Sequence, residues 1–184
     1  MSAKKYASDY KLEPYKTSDG KVKDRRVYTG TWYRFVNSPL IIKRLRLELF
    51  IGCSAIILLL LPLLFANNSL GRTIYIVLPC AAAFVPLYLL MAGALRLTNP
   101  EEKFNRENRD KTDLRISGAG LILPVFLAVS CVGCAVHAAL SGMEKGETAT
   151  MFCLAAAWCI SMYLMTRRKK AETVSLDSPE VQAN

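Results

Sequence analysis

Four stretches of this chain, 49–66, 73–95, 116–143 and 148–166, contain no Asp, Glu, Lys or Arg. An α-helix rises about 1.5 Å per residue, so roughly 20 apolar residues cross the ~30 Å hydrocarbon core of a bilayer. Soluble core helices seldom sustain uncharged runs of that length. The composition agrees, because 52% hydrophobic residues sit beside 21% charged ones, and only segregation along the chain reconciles the two figures. The expected fold class is an all-α integral membrane protein: a four-helix transmembrane bundle of two antiparallel hairpins, with spans at about 45–66, 73–95, 116–141 and 148–166. The turns at 67–72 and 142–147 are short enough to force each hairpin.

The distribution of basic residues predicts the orientation. Of 24 Lys and Arg, only Arg72 and Lys145 fall in the segments joining spans one to two and three to four. All the others lie before span one, in the 96–115 loop or after span four. The positive-inside rule then places both termini and the loop in the cytoplasm of a multi-pass plasma-membrane protein. No cleavable signal precedes the first run, which is expected to insert and remain as an anchor. Neither a myristoylation glycine at position 2 nor a C-terminal prenylation cysteine is present. The net charge of +9 is accounted for by topology and by contacts to anionic headgroups, so nucleic acid is not an expected partner.

Three regions follow: a cytoplasmic segment 1–37, the transmembrane domain 38–166 with its loop 96–115, and a basic, then disordered, tail 167–184. Residues 1 to about 8 are also expected to be disordered. Tyr10 to Lys16 and Lys21 to Tyr28 flank Ser18-Asp19-Gly20, a hairpin signal because glycine supplies the positive φ of a tight turn. Pro14 confines its strand to an edge. Aromatic and basic residues then crowd the approach to span one. Arg25, Arg26, Tyr28, Trp32, Tyr33, Arg34 and Phe35 form the candidate partner or membrane interface, since Trp and Tyr favour the headgroup zone and Trp, Tyr and Arg are enriched at binding hot spots. Ser38-Pro39 reads as N-cap and first residue of a long helix, and Arg44 stands one turn before Glu48, at ion-pair spacing. Asn99-Pro100-Glu101-Glu102 predicts a short charged helix from Glu101 to about Asp113. Pro62, Pro79, Pro86 and Pro124 predict bends within the spans. Small residues, including Gly133 and Ala155 to Ala157, mark faces for close packing.

Chemistry has few places to reside. Cys131-Val132-Gly133-Cys134 on a four-span frame superficially resembles the disulfide-generating quinone reductases of the vitamin K epoxide reductase kind. That resemblance covers span count and four residues, and implies thiol-redox chemistry. Its pair lies deep inside a helix, whereas such thiols use a helix N-terminus to lower their pKa. Cysteines three apart on a helix also have Cβ atoms about 5–6 Å apart, against the ~3.8 Å of a disulfide. A second reading places a zinc or copper ion on Cys131, Cys134 and His137, with Cys153 approaching across the 142–147 turn. An oligomeric channel or small-substrate transporter is a third, limited by the scarcity of ionisable residues within the spans. No catalytic residue and no cofactor is expected. The function expected from these residues is a non-enzymatic membrane subunit, assembly factor or regulatory partner. Its expected partners are membrane lipids together with a protein partner or further copies of the chain.

Overall fold

The computed structural model describes residues 6–16, 22–65, 69–97, 103–142 and 145–176. A single 3₁₀ turn, Ala7–Asp9, leads into strands β1 (Tyr10–Lys16), β2 (Val22–Tyr28) and β3 (Tyr33–Phe35). Seven helices follow: α1 (Pro39–Phe65), α2 (Ser69–Arg72), α3 (Ile74–Ala82), α4 (Phe84–Arg96), α5 (Arg106–Asp113), α6 (Ala119–Ser141) and α7 (Lys145–Arg167). A π-helical turn, Leu114–Gly118, joins α5 to α6, and a 3₁₀ turn, Arg168–Ala171, precedes β4 (Thr173–Ser175). The molecule is mostly helical, with four helical segments long and apolar enough to cross a membrane and a small two-stranded sheet near the N-terminus.

The four segments close into a ring. α1 packs on α7 and α4, while α6 packs on α7, α3 and α4. The expected antiparallel neighbours are thus joined by a further contact between the first and last spans. The seam along α1 is built by Ile42, Leu45, Leu49, Cys53, Ile56 and Leu60, all buried and spaced three or four residues apart, the period that keeps one helix face inward. The opposite face is apolar too, with Leu47, Ile51 and Leu58 exposed. A helix that is hydrophobic all round needs an apolar environment on its outer side as well.

The second span is divided at Ala83. Pro86 has no N–H to return to the carbonyl of Ala82, so the ladder breaks there and restarts with Leu87 donating to the Ala83 carbonyl at 3.2 Å. Pro79 similarly deprives the Tyr75 carbonyl of its helical partner. That carbonyl faces Gly133 of α6, where an added Cβ would stand 3.3 Å from it and 3.1 Å from the Ile76 side chain. One turn away on the same seam, the Ser130 hydroxyl donates to the Ile76 carbonyl at 3.1 Å. The small-residue face expected on span three is therefore used for close approach to the proline-bent helix. At the far end of α6, Gly142 adopts φ 77° with ψ −179°, an extended positive-φ conformation that is essentially restricted to glycine.

Several expectations require correction. β4 shows that the tail does not turn to disorder directly after Lys170: β4 pairs antiparallel with β3, Tyr33 opposite Ser175 and Phe35 opposite Thr173. Its polar composition gave no hint because backbone groups make this pairing. Residues 6–8 are also placed, and Tyr6 is buried with its hydroxyl donating to Asp110 Oδ2 at 2.9 Å. The proposed helix start at Asn99 to Glu102 lies outside the described residues. The described helix begins instead at Arg106, capped by Asn105, whose side chain accepts from the Asn108 N–H at 2.9 Å. It runs without a break through the π turn into α6, so α5 and the third span are one continuous rod.

Candidate functional site

The end of the bundle where α1 begins and α7 ends is covered by a cap drawn from three parts of the chain. Tyr33 exchanges two backbone hydrogen bonds with Phe104, at 2.9 and 3.0 Å. On its other edge β3 pairs with β4, extended by Val36 N–H to the Glu172 carbonyl and Leu176 N–H to the Trp32 carbonyl. Beneath this junction Phe35 is buried with its ring 5.0 Å from that of Phe104. Above it, the Arg109 guanidinium lies 4.6 Å from the Tyr33 ring centroid, and its Nε donates to Thr173 Oγ1 at 3.2 Å. One α5 side chain thereby holds the N-terminal segment and the tail together.

The hairpin is attached to this cap only at its base. β1 and β2 are antiparallel, with Tyr10 opposite Tyr28 and Lys16 opposite Val22, as expected from the Ser-Asp-Gly turn, whose own residues lie outside those described. Tyr28 sits edge-on to Tyr10 at 5.3 Å and to Trp32 at 5.0 Å. Its hydroxyl donates to the Thr31 carbonyl at 2.8 Å and accepts from the Arg106 N–H at 3.1 Å, while Asn105 Nδ2 donates to the Tyr10 hydroxyl at 3.0 Å. Burial raises the Tyr28 pKa above its ordinary value, outweighing the hydrogen bond from Arg106, with the Asp9 carboxylate adding to the rise. Beyond the base, β1 from Lys11 to Lys16 is exposed, as are Val22 and Asp24 to Arg26 of β2.

The seven interface residues expected from sequence therefore divide. Phe35 is buried, while Tyr28 and Tyr33 are half-buried and build the cap; Arg25, Arg26, Trp32 and Arg34 remain on the surface. The exposed set gains Leu12, Tyr15 and Val22, which are 64%, 45% and 63% exposed. Sequence reading passed over Leu12 and Val22. The signal was present, since apolar side chains on a two-stranded sheet with no third layer cannot all be covered.

At the other end of the bundle the two turns are fastened together. Glu147, buried in the first turn of α7, receives hydrogen bonds from the backbone N–H and the hydroxyl of Ser69 on α2. Ser69 Oγ also lies 2.8 Å from His137 Nε2, and the Tyr75 hydroxyl lies 3.5 Å from His137 Nδ1. One assignment satisfies every contact: Tyr75 donates to Nδ1, Nε2–H donates to Ser69, and Ser69 donates to Glu147. His137, expected as a metal ligand, is thus engaged with Ser69 and Tyr75. The carboxylate contacts the serine rather than the imidazole, so the three do not form a nucleophile–base–orienter relay.

The cysteines expected as ligands or redox partners are all free thiols. Cys134 is buried and Cys131 and Cys153 are half-buried. Among the described residues no group of three or more His, Cys, Asp or Glu is arranged to hold a metal ion. The expected pairing of Glu48 with Arg44 is present at 3.1 Å, joined by Arg167 at 3.4 Å. This second contact ties the start of α1 to the end of α7.

Comparison of the chain with protein-family models, with curated proteins and with solved structures found no match.

Proposed function

We propose that this chain is a four-span membrane protein, with its cap in the cytoplasm, that works non-enzymatically by docking a protein partner through the β1–β2 hairpin. The observation that carries this reading is the hairpin itself. It projects from an otherwise well-tied cap and leaves Leu12, Tyr15 and Val22 in solvent beside Arg25 and Arg26. A lone two-stranded ribbon is marginal in water, and its unpaired strand edges can accept a further strand from another chain. Membrane insertion is supported by the apolar outer faces of all four spans, and orientation by the basic residues of the cap end.

Two experiments test this. In otherwise cysteine-free protein, single cysteines at Ser18, Asn105 and Ser178 should resist impermeant thiol reagents in intact cells, while cysteines at Asn68 or Gly146 should react; labelling at Asn105 overturns the topology. A photo-crosslinker at Leu12 should give one discrete adduct in native membranes. The Val22→Lys change should remove that adduct while altering folding stability by less than about 0.5 kcal/mol, as exposed substitutions do. A diffuse smear of adducts, unaffected by Val22→Lys, would remove the docking role.

A further inference from the structure

Two cavities lie end to end along the seam between α6 and α7. At the cap end is a polar cleft of about 490 Å³, bounded by α5, the π turn and the tail, with Arg109, Arg168 and Lys169 facing Asp113 and Glu172. Farther along is an apolar groove of about 540 Å³, running from Leu121 to Val132 on α6 and from Met165 to Trp158 on α7. Helical spacing makes them one track. Ser117 in the cleft stands one turn before Leu121 in the groove, and Lys169 one turn beyond Met165.

The length of the groove discriminates between occupants. Leu121 to Val132 covers about 16 Å at 1.5 Å per residue, half of a ~30 Å hydrocarbon core. A partner helix crossing the whole core would need a groove about twice as long, whereas an acyl chain within one leaflet needs about this length. The charges of the cleft discriminate between headgroups. Arg168 is steadied by the Ser117 carbonyl at 2.9 Å, and Arg109 by Thr173 and the Tyr33 ring. Lys169, Asp113 and Glu172 are exposed, and their side chains have no hydrogen-bond or ion-pair partner among the described residues. Cations and carboxylates thus meet across one cavity with donor and acceptor capacity unspent.

We propose that this track binds one phospholipid whose headgroup carries both a phosphate and a primary amine, with its phosphate on Arg168 and Lys169, its ammonium on Asp113 and Glu172, and an acyl chain in the groove. This rests on the membrane-crossing reading above. A purely anionic headgroup would leave the two carboxylates facing like charge, and a quaternary ammonium has no N–H to donate to them.

The test is native mass spectrometry of the full chain in detergent, titrated with phosphatidylethanolamine, phosphatidylglycerol and phosphatidylcholine of identical acyl chains, and with inorganic phosphate. Phosphatidylethanolamine should bind about tenfold more tightly than the other two lipids, the worth of one charge-assisted hydrogen bond. Lys169→Gln should weaken it by a similar factor. Val125→Trp, which fills the groove from an exposed position, should weaken it as well while leaving the melting temperature of lipid-free protein unchanged. Equal binding of the three lipids, indifference to Val125→Trp, or retention of inorganic phosphate as tight as that of lipid would each overturn the site. Extraction of the chain from membranes by alkaline carbonate would instead overturn the membrane-crossing reading. A chain that stays embedded yet shows no lipid preference refutes the lipid site alone.

Discussion

The two ends of the helix ring solve the same problem, holding four helices in register, by different means. At the turn end, connections are short and a few polar atoms suffice: Ser69, Glu147, His137 and Tyr75 join the short α2 to α3, α6 and α7 through one chain of hydrogen bonds. At the cap end the connections are long, and the chain spends aromatic rings, four strands and a cation–π contact. The turn end presents little beyond itself. The cap holds its own parts together and still carries a ribbon that nothing among the described residues covers. Closure needs few residues, whereas presentation requires a platform.

If the cap is a cooperative platform, removing its central ring should produce the largest effect. Phe35→Ala should destabilise by about 3 kcal/mol or more, the usual cost of emptying a buried Phe site. It should also expose the 173–176 tail to protease, followed by thermal unfolding and limited proteolysis in detergent. An intact tail with unchanged melting would show that the cap is merely a set of adjacent loops. At the opposite end, Glu147→Leu strands the Ser69 donors and should cost about 1–3 kcal/mol. Differential scanning of the purified protein would detect this, and a neutral outcome would show that the turns need no fastening.

Smaller effects sharpen the contrast. Arg109→Lys keeps the charge but loses the planar stack over Tyr33, and should cost about 0.5–1 kcal/mol while leaving the turn end unaffected. The smallest effect concerns pH. Because folding raises the Tyr28 pKa above 10.0, its contribution is fully present below pH 10 and is lost as pH climbs through the raised folded value. Alkaline titration followed by phenolate absorbance and proteolysis should therefore loosen the hairpin base, and Tyr28→Phe should abolish this particular pH response. Loosening of the base at neutral pH would contradict it.

What the sequence disclosed depended on the range of the interaction. The apolar runs, the Ser38-Pro39 helix start, the Arg44–Glu48 pair and the hairpin are local patterns, and each has its counterpart in the structure. Contacts between distant residues were not legible. Thr173 to Ser175 carries no strand signal of its own, since its pairing uses backbone groups that β3 happens to bring near. Ser69 and Glu147 look like ordinary turn residues until the ring closes and sets them together. Asn99 with Pro100 gave a stronger local start signal than Asn105, yet Asn105 is the residue whose side chain caps the described helix. The hairpin strands were legible but the exposed Leu12 and Val22 were not singled out, because burial is set by a third layer, and none covers this sheet among the described residues.

The unbroken run from Arg106 to Ser141, 36 residues in length, has a mechanical consequence. At about 1.5 Å per residue it is a shaft about 54 Å long. Its far end carries His137, and its near end carries the Asn105 cap and Arg109, the grips on hairpin and tail. The contact where the two turns meet and the grips on the platform therefore stand at opposite ends of one helical element. The π turn at Leu114–Gly118 lies between them, where wider helical winding replaces the standard ladder.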